Sequence, residues 1–308
     1  MPEPLVDAPV DAGIAAVAAG PEEVEVSRSR KLGFLGWFSI IWLVMVVALA
    51  LLAPILPLPD PNRSFGAITE KPPIQPGHFL GGDGIGRDML SRVIFGARIS
   101  LLVGFASVVI GWVVGGSLGL VAGYFKGRID GVLSTLFNVL LSMPALVLAL
   151  SLVAVFASSD ENTSTSRKLV VLIAALGIVS IPVLGRISRA STLAWSEREF
   201  VKAAEVMGAK PLRIIWREVL PNVLPAMMSI ALLGMGVVIV AEGALALFGA
   251  SVQGEPTWGT MIADGRGDLR NYPHIVFIPS AALFFTVLSL NYLGDVVRAR
   301  FEVRESVL

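Results

Sequence analysis

The sequence predicts an all-α polytopic membrane protein with six transmembrane helices. Three observations carry that prediction. The 308-residue chain is 55% hydrophobic and only 16% charged, against about 25% charged residues in soluble domains. Its mean hydropathy is +0.76. Several apolar runs approach or exceed the ~20 residues that a helix needs to cross a bilayer. Strands of a membrane barrel would instead alternate in character over about 10 residues.

The elements follow in order. Residues 1–31 are rich in Ala, Pro, Val and acids such as Glu22, Glu23 and Glu25. No basic start leads into an apolar run there, so the segment reads as a disordered tail and not as a signal peptide. Hydropathy places the spans at Leu32–Leu56, Ile99–Tyr124, Val132–Phe156, Leu169–Leu184, Pro225–Ala250 and Ile275–Leu293. The fourth is short unless it extends past Arg186. Pro144 breaks the hydrogen-bond ladder of the third, and Gly115, Gly116 and Gly119 permit a close helix contact on the second.

Lys and Arg near the span ends set the orientation. Arg28, Arg30 and Lys31 precede the first span, Lys126 and Arg128 follow the second, and Arg298, Arg300 and Arg304 follow the sixth. Between the fourth and fifth lie Arg186, Arg189, Arg198, Lys202, Lys210, Arg213 and Arg217. An even number of spans puts all four groups on one side, so both termini are expected in the cytoplasm.

Composition narrows the chemistry. A formal net charge of zero gives no field for nucleic acid. Without cysteine, disulfides, thiolate metal sites and cysteine nucleophiles are excluded. His78 and His274 stand alone in sequence, so no metal ligation is expected. No nucleophile–base pair stands out, and there is no Walker motif. The stretch Gly81–Gly86 has no strand before it and no Lys-Ser/Thr after it, so it is not a phosphate cradle.

The segment between spans four and five is polar, basic and helix-forming. Phe200, Ala203, Ala204 and Met207 follow the spacing of one helix face. Gly208 suits a left-handed helix stop, and Pro211 suits the first turn of a second helix. Leu212, Ile215, Trp216 and Val219 give that helix an apolar stripe, and Pro221 is expected to disturb its passage into span five. A docking surface fits this pattern, and so does a loop packed under its own bundle. Glu242, inside an apolar run, costs about 2.5–3.5 kcal/mol unless it faces protein or water. It is a candidate gate, inter-helix tie or proton relay. Asp83, Arg87, Asp88 and Arg92 are placed to pair among themselves.

Lys202-Ala203-Ala204, Gly208 and Leu220-Pro221 resemble the "EAA" signature of ABC-importer permeases, with Lys202 and Glu218 departing from it. Gly77-His78-Phe79-Leu80-Gly81-Gly82-Asp83 through Gly86-Arg87-Asp88 and Ser91-Arg92 to Gly96-Ala97-Arg98-Ile99-Ser100-Leu101 is similar to the second, C-type, permease subunit of peptide and nickel importers. Gly82 replaces the usual Thr. Pro144, Glu242, Pro256-Thr257-Trp258-Gly259 and Asn291 fit the same pattern. The C-terminal end lacks the family's usual closing motif.

The resemblance implies a type I importer permease at 32–295, with a coupling element at 197–222 and cytoplasmic tails at 1–31 and 296–308. It implies ATPase coupling through Phe200, Lys202, Ala203, Ala204, Glu205, Met207, Gly208, Leu220 and Pro221. Glu242, Pro144 and Asn291 become candidates for the gate or pathway, and Asp83, Arg87, Asp88 and Arg92 for binding-protein docking. The implied partners are a homologous permease in a heterodimer, two cytoplasmic ATPase domains that hold ATP and Mg, and an extracytoplasmic binding protein. This chain itself then binds no cofactor and sits in the cytoplasmic membrane of a prokaryote, importing peptides or related small solutes. The rival readings are an ion-coupled secondary transporter using Glu242 and a membrane scaffold protein.

Overall fold

The computed structural model describes residues 33–157, 164–252 and 254–305; the 1–31 tail lies outside them. Helix α1 (Phe34–Leu52) is the first span. Helices α2 (Met89–Ile110) and α3 (Gly116–Phe125) join through a π-turn, Gly111–Gly115, into one rod of 37 residues. Helices α4 (Gly127–Ser142) and α5 (Ala145–Phe156) form a pair bent by 87°. Helix α6 (Thr165–Ser196) leads to the short α7 (Glu199–Val206). Helix α8 (Pro211–Ile214) passes through a second π-turn, Ile215–Val219, into α9 (Leu220–Leu247). Helices α10 (Trp258–Gly265) and α11 (His274–Glu305) complete the described chain. Among the described residues five helices are long and apolar enough to span a membrane, or six where the bent pair counts as one span. Among the described residues, extended pairing is confined to isolated bridges.

The span limits differ from hydropathy in ways that local chemistry explains. The second span begins at Met89, because the Asp88 carboxylate accepts from the Ser91 amide at 2.7 Å and caps polar first turns that an apolar window passes over. The third is broken where Met143 and Pro144 leave helical geometry. The fourth runs on to Ser196, so Arg186 and Arg189 belong to a helix wall and not to a loop. The fifth starts at Pro211. Pro221, which lacks an N–H, is absorbed by the π-turn before it and does not interrupt the rod. The sixth continues past Leu293 to Glu305.

Packing follows small residues. A Cβ on Gly115 would lie 2.3 Å from the Ile181 carbonyl oxygen, and one on Gly119 would lie 2.2 Å from that of Gly185. The α3 backbone therefore rests directly on α6. Across that contact Ser188 donates to the Gly116 carbonyl at 2.7 Å. A main core joins Val103, Leu172, Leu176, Val238 and Leu245. A second joins α1 to α11, where the Trp42 indole donates to Thr286 at 3.0 Å. A third, under α7, is the foundation of the candidate site.

Candidate functional site

Helix α7 ends at Gly208, whose φ of +81° is the left-handed region that glycine tolerates. The Ala209 amide then donates to the Ala204 carbonyl at 3.1 Å, and Lys210 leads into Pro211. At 100° per residue the helix divides into two faces. Val201 and Ala204 turn inward onto Ile214, Val219, Val223 and Met227. Lys202, Ala203, Glu205, Val206 and Met207 turn outward. Val206 and Met207 are 88% and 80% exposed. The face read from spacing is thus split: Ala203 and Met207 lie outside, Ala204 supports from within, and Phe200 lies at the edge, its ring 6.2 Å from that of Trp195. Leu212 and Trp216 extend the exposed apolar surface along α8 and its π-turn. Leu220 and Pro221 lie behind that turn, where they shape the helix that carries the element.

Polar ties hold the element to the bundle. Lys126, between α3 and α4, pairs with Glu197, which also meets Lys202 at 3.6 Å. The hydrogen bond from Lys126 holds the Glu197 carboxyl below its ordinary range, and the charge of Lys202 adds to the effect. Tyr124 donates to Glu205 at 3.3 Å. Lys202 therefore has a local partner for its charge.

At the opposite end of the bundle, Asp83 accepts from the Arg87 guanidinium at 2.6 Å and from the Arg87 amide at 2.8 Å. Arg92, only 3% exposed, lies 3.6 Å from both Asp83 and Asp264. Asp264, which the sequence reading missed, also takes Arg87 at 3.2 Å. Asp88 caps α2 and bonds His78 Nδ1 at 2.7 Å. His274 Nε2 lies 3.2 Å from the Gly82 carbonyl, so neither histidine is isolated. These four sequence-selected charges are internal ties, and Asp83, Asp88 and Arg92 are buried. A cavity of ≈ 370 Å³ opens beside them, between Asp83, Arg92, Asp264 and Asp268.

Glu242 is 0% exposed. Its Oε1 accepts from Ser251 at 2.7 Å and from Thr257 at 2.8 Å, tying α9 to the loop before α10. Thr257 also caps α10 through the Thr260 amide. Asn291 is half-buried at the α9–α11 contact, with its Oδ1 3.3 Å from where a Gly236 Cβ would stand. Pro144 is exposed at the α4–α5 break. Two arginine ties within the bundle escaped the sequence reading because their partners are distant in sequence: Arg189 with Asp130, and Arg186 with Asn138. Among the described residues no group of His, Cys, Asp or Glu has the arrangement of a metal site.

The candidate spans carry a helix–Gly–helix tip whose outer face is exposed. Residues 115–307 match the family model described as "Binding-protein-dependent transport system inner membrane component". The chain is similar to the dipeptide transport system permease protein DppC of Alkalihalophilus pseudofirmus, 33% identical over 96% of this chain and 93% of that relative. The glutathione transport system permease protein GsiD of Pectobacterium atrosepticum is 35% identical over 72% of this chain and 71% of its own length. In fold, an inward-facing structure of the MetNI methionine ABC transporter superposes with a TM-score of 0.56 at 19% identity, covering 68% of this chain and 97% of that one. The chain belongs to the family of binding-protein-dependent transport system inner membrane components, the permease subunits of ABC importers. It is a transport subunit and not the ATPase.

Proposed function

We propose that this chain is the C-type permease of a peptide importer in the cytoplasmic membrane, with both termini in the cytoplasm. It pairs with a homologous permease, two ATPase domains that supply ATP and Mg, and an extracytoplasmic binding protein. The exposed apolar tip of α7 carries this reading. Val206 and Met207 are held exposed by a helix whose other face is anchored in the bundle core. The names of the dipeptide and glutathione relatives support a peptide class of solute.

The ties fit a coupling role. When an ATPase groove moves α7, the Val201–Ala204 face pushes on Val219 and Val223, and so on the rod of span five. Tyr124 and Lys126 carry the same displacement to α3. Burying Val206 and Met207 is worth about 1.5–3 kcal/mol each. Losing both contacts therefore weakens docking by at least about a hundredfold. The test is Val206→Asp with Met207→Asp in the full complex. The expected outcome is an intact permease pair that loses ATPase co-purification and solute-stimulated ATP hydrolysis. Unchanged uptake and stimulation would refute the proposal.

A further inference from the structure

Helix α4 divides its surface into three stripes. One, with Phe137 at its centre, packs on α6; a Cβ on Gly185 would lie 2.5 Å from the Phe137 ring. The second is apolar and exposed: Ile129, Val132, Leu136, Val139 and Met143. The third is polar and also exposed: Arg128, Gly131, Thr135, Asn138 and Ser142. Both exposed stripes repeat every three or four residues, so each is a continuous line along the helix. Lipid suits the apolar line. A polar line along a membrane helix needs water or protein.

Depth adds a second constraint, with α6 as the ruler. Phe137 stands level with Gly185. Ala149 and Val153 of α5 pack in the cluster of Leu172, Ala175 and Leu176. The break at Ser142–Pro144 therefore falls between those levels. At 1.5 Å per residue that is roughly 20–25 Å from either end of α6, inside its apolar stretch. The break leaves last-turn carbonyls of α4 without intrahelical partners, and Ser142, Met143 and Pro144 are exposed. Irregular backbone at that depth does not face lipid; it is tolerated where it lines a water-filled cavity or is buried in protein.

A third observation selects the solute. Arg189 is neutralised by Asp130. Arg186, about one turn deeper along α6, meets only the Asn138 amide and no carboxylate among the described residues. It is an exposed, uncompensated cation on the wall beside the polar stripe. Such a charge is costly unless water or an anion faces it, and a guanidinium presents several donors that match a carboxylate.

We infer that the Gly131–Thr135–Asn138–Ser142 stripe and Arg186 line the solute path, and that Arg186 receives the solute's carboxylate there. The carboxylate assignment rests on the peptide-import reading; the path assignment does not. Ser142 and Thr135 bond back to the Val139 and Gly131 carbonyls, so the stripe stays satisfied while the path is empty of solute.

The chain has no cysteine, so single thiols report directly in the assembled complex. Thr135→Cys and Ser142→Cys are compared with Val132→Cys and Val139→Cys against a charged, membrane-impermeant thiol reagent. Because only the hydrated thiolate reacts, the polar-stripe positions should label about tenfold faster or more in one nucleotide state. Equal or slower labelling, as lipid or a tightly packed partner permease would give, overturns the path assignment. The second arm measures uptake of a peptide and its C-terminal amide in wild type and Arg186→Gln. Taking the ratio within each variant removes any preference of the binding protein. Loss of one charge-assisted contact should lower the acid-to-amide ratio by about 10–100-fold. An unchanged ratio overturns the carboxylate role while peptide import stands. Absence of peptide uptake by the wild type overturns peptide import, and the carboxylate assignment with it.

Discussion

Replacing Gly119 with alanine tests the packing that fixes the fold. The added Cβ would sit 2.2 Å from the Gly185 carbonyl oxygen, 2.7 Å from Ser188 Cβ and 2.9 Å from the Arg189 amide nitrogen. These are backbone or first side-chain atoms, so no flexible end can swing away. The helices must part by roughly 1 Å to restore ordinary contact in a close-packed interior. Parting also stretches the Ser188–Gly116 hydrogen bond, 2.7 Å as it stands. It opens the neighbouring contacts as well, where Cβ atoms on Gly115 and Gly123 would lie 2.3 and 2.7 Å from the Ile181 and Arg189 carbonyls. Overpacking costs about 1–3 kcal/mol and a weakened hydrogen bond about 1 kcal/mol. Alanine recovers up to about 1 kcal/mol in helix propensity. The net expectation is a loss of about 1–3 kcal/mol. Gly234→Ala is the control, because its Cβ would meet only Val108 Cγ2, at 3.9 Å; it should be neutral or slightly stabilising. Thermal unfolding of the purified complex in detergent reads both. If Gly119→Ala is as stable as Gly234→Ala, backbone contact does not hold α3 to α6.

Two further outcomes are expected. Thr257→Val removes both the bond to Glu242 and the cap of α10, so it should cost about 2–4 kcal/mol. Ser251→Ala loses a single bond and should cost about 1–3 kcal/mol; equal effects in the same unfolding assay would count against the cap. The Glu197 carboxyl is depressed by Lys126 and Lys202. Its tie therefore contributes above the ordinary value of 4.5 and is lost as the pH falls below that value. Amide exchange in α7 should hold steady at neutral pH and rise on acidification. A rise of the same size in Glu197→Gln would show that another group is responsible.

Hydropathy revealed the spans, and the Ala-Ala, Gly and Leu-Pro spacing marked out the helix–Gly–helix segment, because both are written in neighbouring residues. The same reading put Phe200, Ala203, Ala204 and Met207 on one face. Spacing alone cannot say which side of an alanine-rich helix the bundle will claim. Val201 decides that, being drawn into the core with Ile214 and Val219. Asp264 was invisible for a similar reason: its partners Arg87 and Arg92 lie far back in the chain, the one in a loop and the other in α2. Glu242 was conspicuous as a charge in an apolar run. Its use as a tie depends on Ser251 and Thr257 folding back over it.

By itself the sequence determined that this protein lives in a membrane, crosses it as helices and carries a polar helix–Gly–helix segment between two spans. Those properties arise from local composition, helix periodicity and the conformational limits of glycine and proline. Only the tertiary structure decided that Arg186 stands in a helix wall without a carboxylate partner among the described residues, that Val206 and Met207 are left exposed, and that the third span breaks between the levels of Gly185 and Leu176. Burial and charge compensation are properties of pairs brought together by packing.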